Sequence, residues 1–179
     1  MTSPSATSFA LRDLDPAREA DFEWVASGMH LTLVEVEGEK GRETYSLAWA
    51  RARLREMLDR PRPFHAKVFL AVAADDPGAI VGHTILRLDT MPDGRVYGLV
   101  STTYVDPAHR RAGLADRLLD CGEAWLLAQG MTELATWTSA TNVRLIRLYE
   151  KHGYAITESG PNDGTTMVRL TKTLPAVIS

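Results

Sequence analysis

Val105-Asp106-Pro107-Ala108-His109-Arg110-Arg111-Ala112-Gly113-Leu114-Ala115 reads as a strand end, a proline-marked turn and a glycine-containing start to a helix. The first turn of a helix leaves its backbone N–H groups without intrahelical partners, and the aligned peptide dipoles put partial positive charge there. Such a point stabilises an anion. Gly113 and Ala115 are small enough to let a pyrophosphate approach the backbone, while Arg110 and Arg111 add charge and donors for phosphate oxygens. Arginines in a first turn oppose the helix dipole, so they serve something other than helix stability. On these residues alone a second reading stays open, in which the glycine is turn chemistry and the arginines a solvated first turn. The chain has no G-x-x-x-x-G-K-[ST] and no G-x-G-x-x-G, which argues against a nucleoside-triphosphate loop and a dinucleotide fold.

Working upstream, residues 67–73 (KVFLAVA), 80–88 (IVGHTILRL) and 96–105 (VYGLVSTTYV) are β-prone runs separated by turn-forming clusters at 75–78 and 91–94, and so predict an antiparallel meander. Before them, 8–14 (SFALRDL) reads as a short strand and Asp15-Pro16 as the start of a helix running to about Met29. Gly38 and Gly41 then punctuate an expected loop holding Glu35, Glu37 and Glu39, followed by a second helix over roughly 43–60 that Pro61 and Pro63 stop. Downstream, an amphipathic helix over 111–129, a strand near 133–137 and a helix from about 142 to 152 predict parallel pairing between the flanking strands. Strands near 154–158 and 166–173 close the chain.

Composition is that of an ordinary globular protein, with 45% hydrophobic and 24% charged residues. Its 179 residues suit one domain, 1–179. A net charge of -3 leaves no global positive field of the kind nucleic-acid binders carry. Cys121 is the only cysteine, which excludes an intramolecular disulfide and a multi-cysteine metal site and fits a reducing cytoplasm. Residues 1–8 carry no basic run followed by an apolar stretch, and nowhere do about 18 apolar residues run together, so neither export signal nor membrane span is expected.

A second constellation lies downstream of the cradle, in Asn142-Val143-Arg144-Leu145-Ile146-Arg147-Leu148-Tyr149-Glu150-Lys151-His152-Gly153-Tyr154. Thr141 or Asn142 can cap this helix and Gly153 can end it in the left-handed conformation. Leu145 and Leu148 suffice for packing, which leaves the Tyr149 phenol as a donor able to reach a leaving group. The two segments together resemble the GNAT superfamily of acyl-CoA-dependent N-acyltransferases. Arg110-Arg111-Ala112-Gly113-Leu114-Ala115 matches its coenzyme A signature [QR]-x-x-G-x-[GA]. Asn142, Leu148, Tyr149, Gly153 and Tyr154 match its other motif, in which Asn opens a helix, a Leu-Tyr pair lies near its end and Gly plus an aromatic terminates it. The resemblance covers roughly 67–154; the first 60 residues match only in element order.

That resemblance implies an α/β (α+β) fold: a mixed, mostly antiparallel central sheet flanked by helices. The strand ending near Val105 would splay from the one near Leu134, so that pantetheine lies in the gap like an extra strand. It implies acetyl-CoA as co-substrate, with no metal, held by Thr103, Tyr104, Val105, Arg110, Arg111, Ala112, Gly113, Leu114, Ala115 and Asn142. Main-chain groups at 103–105 would bond the pantetheine amides and the thioester carbonyl. The implied activity is N-acetyl transfer to a primary amine by direct attack, with Tyr149 as the catalytic acid on the departing thiolate. The expected acceptor is a small molecule in the cytoplasm, with no nucleic-acid or membrane partner and a homodimer left open. A non-catalytic acyl-CoA-binding regulatory module and acetylation of a protein amino group are the alternatives.

Strand 96–105 contains no Glu, Asp or His to serve as base, which leaves a water chain to a carboxylate or to His30. His83 sits among apolar strand neighbours and reads as a core histidine, with Gly82 marking a bulge. Cys121 shares a helical stripe with Leu114, Leu118 and Trp125 and reads as a buried thiol. The acidic loop reads as solvated, with attraction of a cationic amine as its alternative.

Overall fold

The computed structural model describes residues 8–162 and 164–175. The amino-terminal segment read for an export signal lies outside them apart from Ser8. Elements follow in the order β1 (Phe9–Asp13), α1 (Glu19–Thr44), α2 (Leu47–Asp59), β2 (Lys67–Ala73), β3 (Asp76–Thr90), β4 (Val96–Val105), α3 (Leu114–Ala128), β5 (Glu133–Ser139), α4 (Val143–Lys151), β6 (Ala155–Asn162) and β7 (Thr165–Thr173). The strands form a seven-stranded sheet in the order β1-β2-β3-β4-β5-β7-β6, and every pairing is antiparallel except β4 with β5. The expected mixed, mostly antiparallel sheet flanked by helices is what the chain forms.

Helices cover both faces because alternate strand residues point to opposite sides. Val68, Leu70, Val72 and Ile85 pack with Val25, Met29, Leu54 and Met57 of α1 and α2. On the other face Leu86, Leu88 and Val100 pack with Leu119 and Leu126 of α3, and with Leu134, Tyr149 and Leu170. Arg12 of β1 holds the buried Asp21 through two hydrogen bonds of 2.6 and 2.9 Å, which anchors the start of α1 to the sheet edge. No helix among the described residues is long and apolar enough to cross a membrane.

Three local departures from the sequence reading shape the site. The loop expected at 35–39 is not a loop: α1 continues to Thr44, and the break is confined to a kink at Gly38 (φ 63°, ψ -139°), a conformation that glycine adopts without strain. Helix α2 begins only at Leu47, because Ser46 caps it by accepting a bond from the Trp49 N–H at 3.1 Å. Helix α3 begins at Leu114 and not at 111, since Arg111 (φ 66°) and Gly113 (φ 76°) both take left-handed backbone conformations. A 3₁₀ turn over Pro107–His109 precedes them.

The sheet opens at its centre. Strand β4 pairs with β5 only at Gly98↔Leu134 and Leu99↔Ala135, although both strands run on, to Val105 and Ser139. The register between β3 and β4 moves from Leu86↔Val100 to Ile85↔Thr102, so Ser101 is an extra residue, a bulge that redirects β4 as the strands part. The Thr136 hydroxyl donates to the Val100 carbonyl at 2.9 Å at the root of the opening. A second bulge, at Val81 beside Gly82, is the one the glycine foretold.

Candidate active site

Backbone geometry at the head of α3 offers a candidate anion receptor. The N-cap Gly113 supplies no side chain, and the backbone N–H groups from Arg111 to Asp116 donate to no acceptor among the described residues. A Cβ at Gly113 would meet nothing within 4 Å, so the space beside this residue is open. Unpaired N–H groups at the positive end of a helix fit a pyrophosphate, which supplies the acceptors and charge they lack.

This receptor is one end of a cleft of about 860 Å3 that runs along the open edge of β4 to α4. Thr103, Tyr104, Val105, Arg110, Arg111, Gly113, Leu114, Ala115 and Asn142 line it; of the residues expected to hold the coenzyme, only Ala112 is absent from its wall. The side chains of Leu114 and Val105 turn into a core cluster with Ala71, Val81 and Leu118. What these two residues offer the cleft is backbone. Asn142 caps α4, with Oδ1 accepting from the Leu145 N–H at 3.4 Å and Nδ2 donating to the Thr138 hydroxyl at 3.2 Å. Gly153 (φ 89°) follows the end of α4, as read from sequence.

Arg110 is already engaged. Its Nε donates to the Val105 carbonyl at 2.9 Å and its Nη2 to both oxygens of Glu35 at 2.7 and 3.0 Å, with Arg144 of α4 3.9 Å from the same carboxylate. Glu35 therefore stands at the cleft wall, 75 residues from its partner. The acidic segment is neither simply solvated nor a loop. Asp116, next along α3, ties this region to the end of α4 through Lys151 at 2.9 Å and His152 at 2.8 Å; these two bonds hold its carboxyl below the usual range.

A second, smaller cavity of about 240 Å3 adjoins the cleft, and Thr32, Val36, Thr103, Asn142 and Leu145 line both. Tyr149 lies on the wall of this second cavity and not on the cradle's. Its ring is 1% exposed and packs edge-on to Tyr154 with centroids 4.8 Å apart. Burial pushes the phenol up to about 12, while hydrogen bonding to Thr136 and Thr103 opposes the rise. Tyr149 is thus a core ring on the wall of the second cavity, and burial favours the protonated form of its hydroxyl.

Other residues considered from sequence fall elsewhere. His30 lines neither cavity, and its Nδ1 lies 2.7 Å from the Tyr45 carbonyl. Cys121 is half-buried, and burial raises its thiol, which opposes nucleophilic use. His83 is fully buried between Trp24 and Tyr104, and its ring nitrogens have no hydrogen-bond partner among the described residues. Sequence reasoning missed Trp49, Arg53, Trp137 and Met167 as cavity residues. Trp49 carried a usable signal, since it stands off the Leu47, Leu54 and Leu58 stripe that buries α2.

A family model described as the acetyltransferase (GNAT) family matches residues 32–154. The aminoglycoside N(6')-acetyltransferase type 1 of Serratia marcescens is 31% identical over 110 residues, 60% of this chain and 73% of that protein. The mycothiol acetyltransferase of Salinispora tropica is 31% identical over 108 residues, 60% of this chain and 34% of that protein, so the match spans about a third of that relative's length. Among solved structures, the NatC complex bound to Gag peptide and CoA superposes with a TM-score of 0.68 at 17% identity, over 93% of this chain and 99% of that one. At that identity the likeness is one of fold.

Proposed function

The chain belongs to the acetyltransferase (GNAT) family, whose model spans 32–154 of its 179 residues, and from that premise we propose that it acetylates a primary amine of a small molecule, using acetyl-CoA by direct attack. The observation that carries this reading is the junction of two cavities at Thr103 and Asn142, one ending in unpaired helix N–H groups and the other in the Tyr149 hydroxyl. Phosphate and phenol thereby bracket the open β4 edge, where a thioester would lie.

On this reading the N–H groups from Arg111 to Asp116 bind the pyrophosphate, and the arginines assist as Arg110 exchanges Glu35 for phosphate oxygens. Main-chain groups at Thr103, Tyr104 and Val105, on the stretch of β4 that β5 leaves, bond the pantetheine amides and steady the oxyanion. An uncharged amine attacks the thioester carbonyl: the C–N bond forms, the C–S bond breaks, Tyr149 gives its proton to sulfur, and the nitrogen loses its surplus proton to water. The phenol regains a proton from solvent. We read the whole chain as one catalytic domain around this site.

The test follows thiol release from acetyl-CoA across a panel of primary amines, with coenzyme binding measured separately by calorimetry. Amine-dependent thiol release is expected. Tight acetyl-CoA binding with no release on any amine would instead mark a regulatory module.

A further inference from the structure

The 240 Å3 cavity differs in kind from the phosphate cleft. Met29, Leu33, Trp49, Met57, Trp137 and Met167 supply much of its apolar surface, beside six serine and threonine residues of β4 and β5. Trp49 and Trp137 remain 38% and 42% exposed, although indoles are costly to leave in water. Single exposed apolar residues are ordinary; two tryptophans converging on one cavity mark a place where something apolar binds. Two charged side chains also reach this wall, Glu37 and Arg53. Arg53 pairs with Glu56 at 2.7 Å, a carboxylate that it shares with Arg60 at 2.9 Å. Glu37 is half-buried and makes no ion pair or hydrogen bond among the described residues, and it is the one carboxylate on this wall. The kink at Gly38 directly follows it, so the helix presents Glu37 at the last position before the chain turns.

Resting on the acetyl-transfer reading above, we propose that the acceptor is a compact apolar monoamine, which Glu37 attracts as an ammonium ion and which gives that proton to water before attack, its hydrocarbon or aromatic body held by the tryptophans and methionines. A carboxylate and two indoles on one cavity wall suit a single cation, through charge and through the attraction of a cation to an aromatic face. The volume falls below the roughly 300–1,000 Å3 of sites for drug-sized ligands, which favours a small body. A polycationic aminosugar would bring several ammonium groups to a wall whose one carboxylate is Glu37 and which Arg53 also lines, and each charge left there without a partner costs free energy. A peptide chain is large for a cavity of about 240 Å3.

The experiment compares 2-phenylethylamine, kanamycin and a tetrapeptide with a free amino terminus, with saturating acetyl-CoA, by thiol release. The expected result is kcat/KM for phenylethylamine at least about tenfold above the other two, and a KM raised about tenfold or more in Glu37→Gln, the scale of one lost charged contact. Acetyl-CoA affinity in Glu37→Gln, measured by calorimetry, should match the parent, which also reports that the variant is folded. Preference for kanamycin or for the peptide overturns the apolar-amine assignment and leaves acetyl transfer standing. An unchanged KM in Glu37→Gln overturns the role of Glu37 and with it the proposal. Coenzyme binding with no thiol release on any of the three overturns both readings together.

Discussion

The proposed acid role asks Tyr149 to keep its proton until a thiolate needs it, and burial pushes the phenol up to about 12. Tyr149→Phe removes one oxygen and preserves the ring contact with Tyr154. The maximal rate should therefore fall by roughly 10²-fold while acetyl-CoA affinity holds, because acid catalysis acts in the transition state. Steady-state kinetics with calorimetry check this, and equal maximal rates would return Tyr149 to the role of a core aromatic. His83 gives a pH prediction whose sign follows from its burial, which lowers it from 6.5 to about 3. Between those values the unfolded chain binds a proton that the folded chain refuses, so the stability contribution is complete above pH 6.5 and is lost as pH falls toward 3. Urea midpoints at about pH 7.5 and 5 should differ more in the parent than in His83→Leu, which cannot titrate there; equal differences would dismiss the residue as the cause. Both residues were legible in the sequence by type and neighbourhood. Neither the Tyr149 environment nor the orphaned nitrogens of His83 could be read, because Thr103, Thr136, Trp24 and Tyr104 reach them only through tertiary packing.

Helix starts and stops decide the geometry of the cleft. The sequence placed a glycine-bearing helix start near 111, and a run of unpaired N–H groups is there. What it missed is that Arg111 and Gly113 both turn left-handed, which delays α3 to Leu114 and leaves the preceding N–H groups outward. Gly113→Glu would set a carboxylate among these donors and add backbone strain of about 1 kcal/mol or more. Thermal melts should show acetyl-CoA at millimolar concentration stabilising the parent and not this variant, whereas Gly113→Asn, tolerant of positive φ, should retain most of the shift. A Glu variant stabilised as fully as the parent would remove the cradle from coenzyme binding. Helix α1 shows the opposite failure. Two glycines and three glutamates between 35 and 41 have the composition of a loop, yet the helix persists to Thr44 and yields only at Gly38. The consequence reaches the chemistry, since a helix and not a loop carries Glu35 to Arg110 and Glu37 to the second cavity.

Across the whole molecule, the meander of β2 to β4, the parallel β4–β5 step and the flanking helices followed from periodicity and turn chemistry. The insertion of β7 between β5 and β6 did not, because two antiparallel strands joined by a turn can add to a sheet by either member. The outer edges of the sheet are guarded in familiar ways. Strand β1 is five residues long and ends in Arg12 and Asp13, and β6 carries Glu158 and Pro161. The opening between β4 and β5 has no such guards: Ser101 to Val105 and Thr136 to Ser139 contain no charge, proline or glycine and are rich in β-branched and aromatic residues. Free of ligand, the protein thus carries two sticky strand edges of the composition that recruits other chains into aggregates, kept in its interior instead of at its rim. A coenzyme lying along them would act as a plug against self-association as well as a reagent. Light scattering at a temperature well below unfolding should therefore show slower aggregation with coenzyme A than without it, and identical rates would mean that the groove alone keeps foreign strands out.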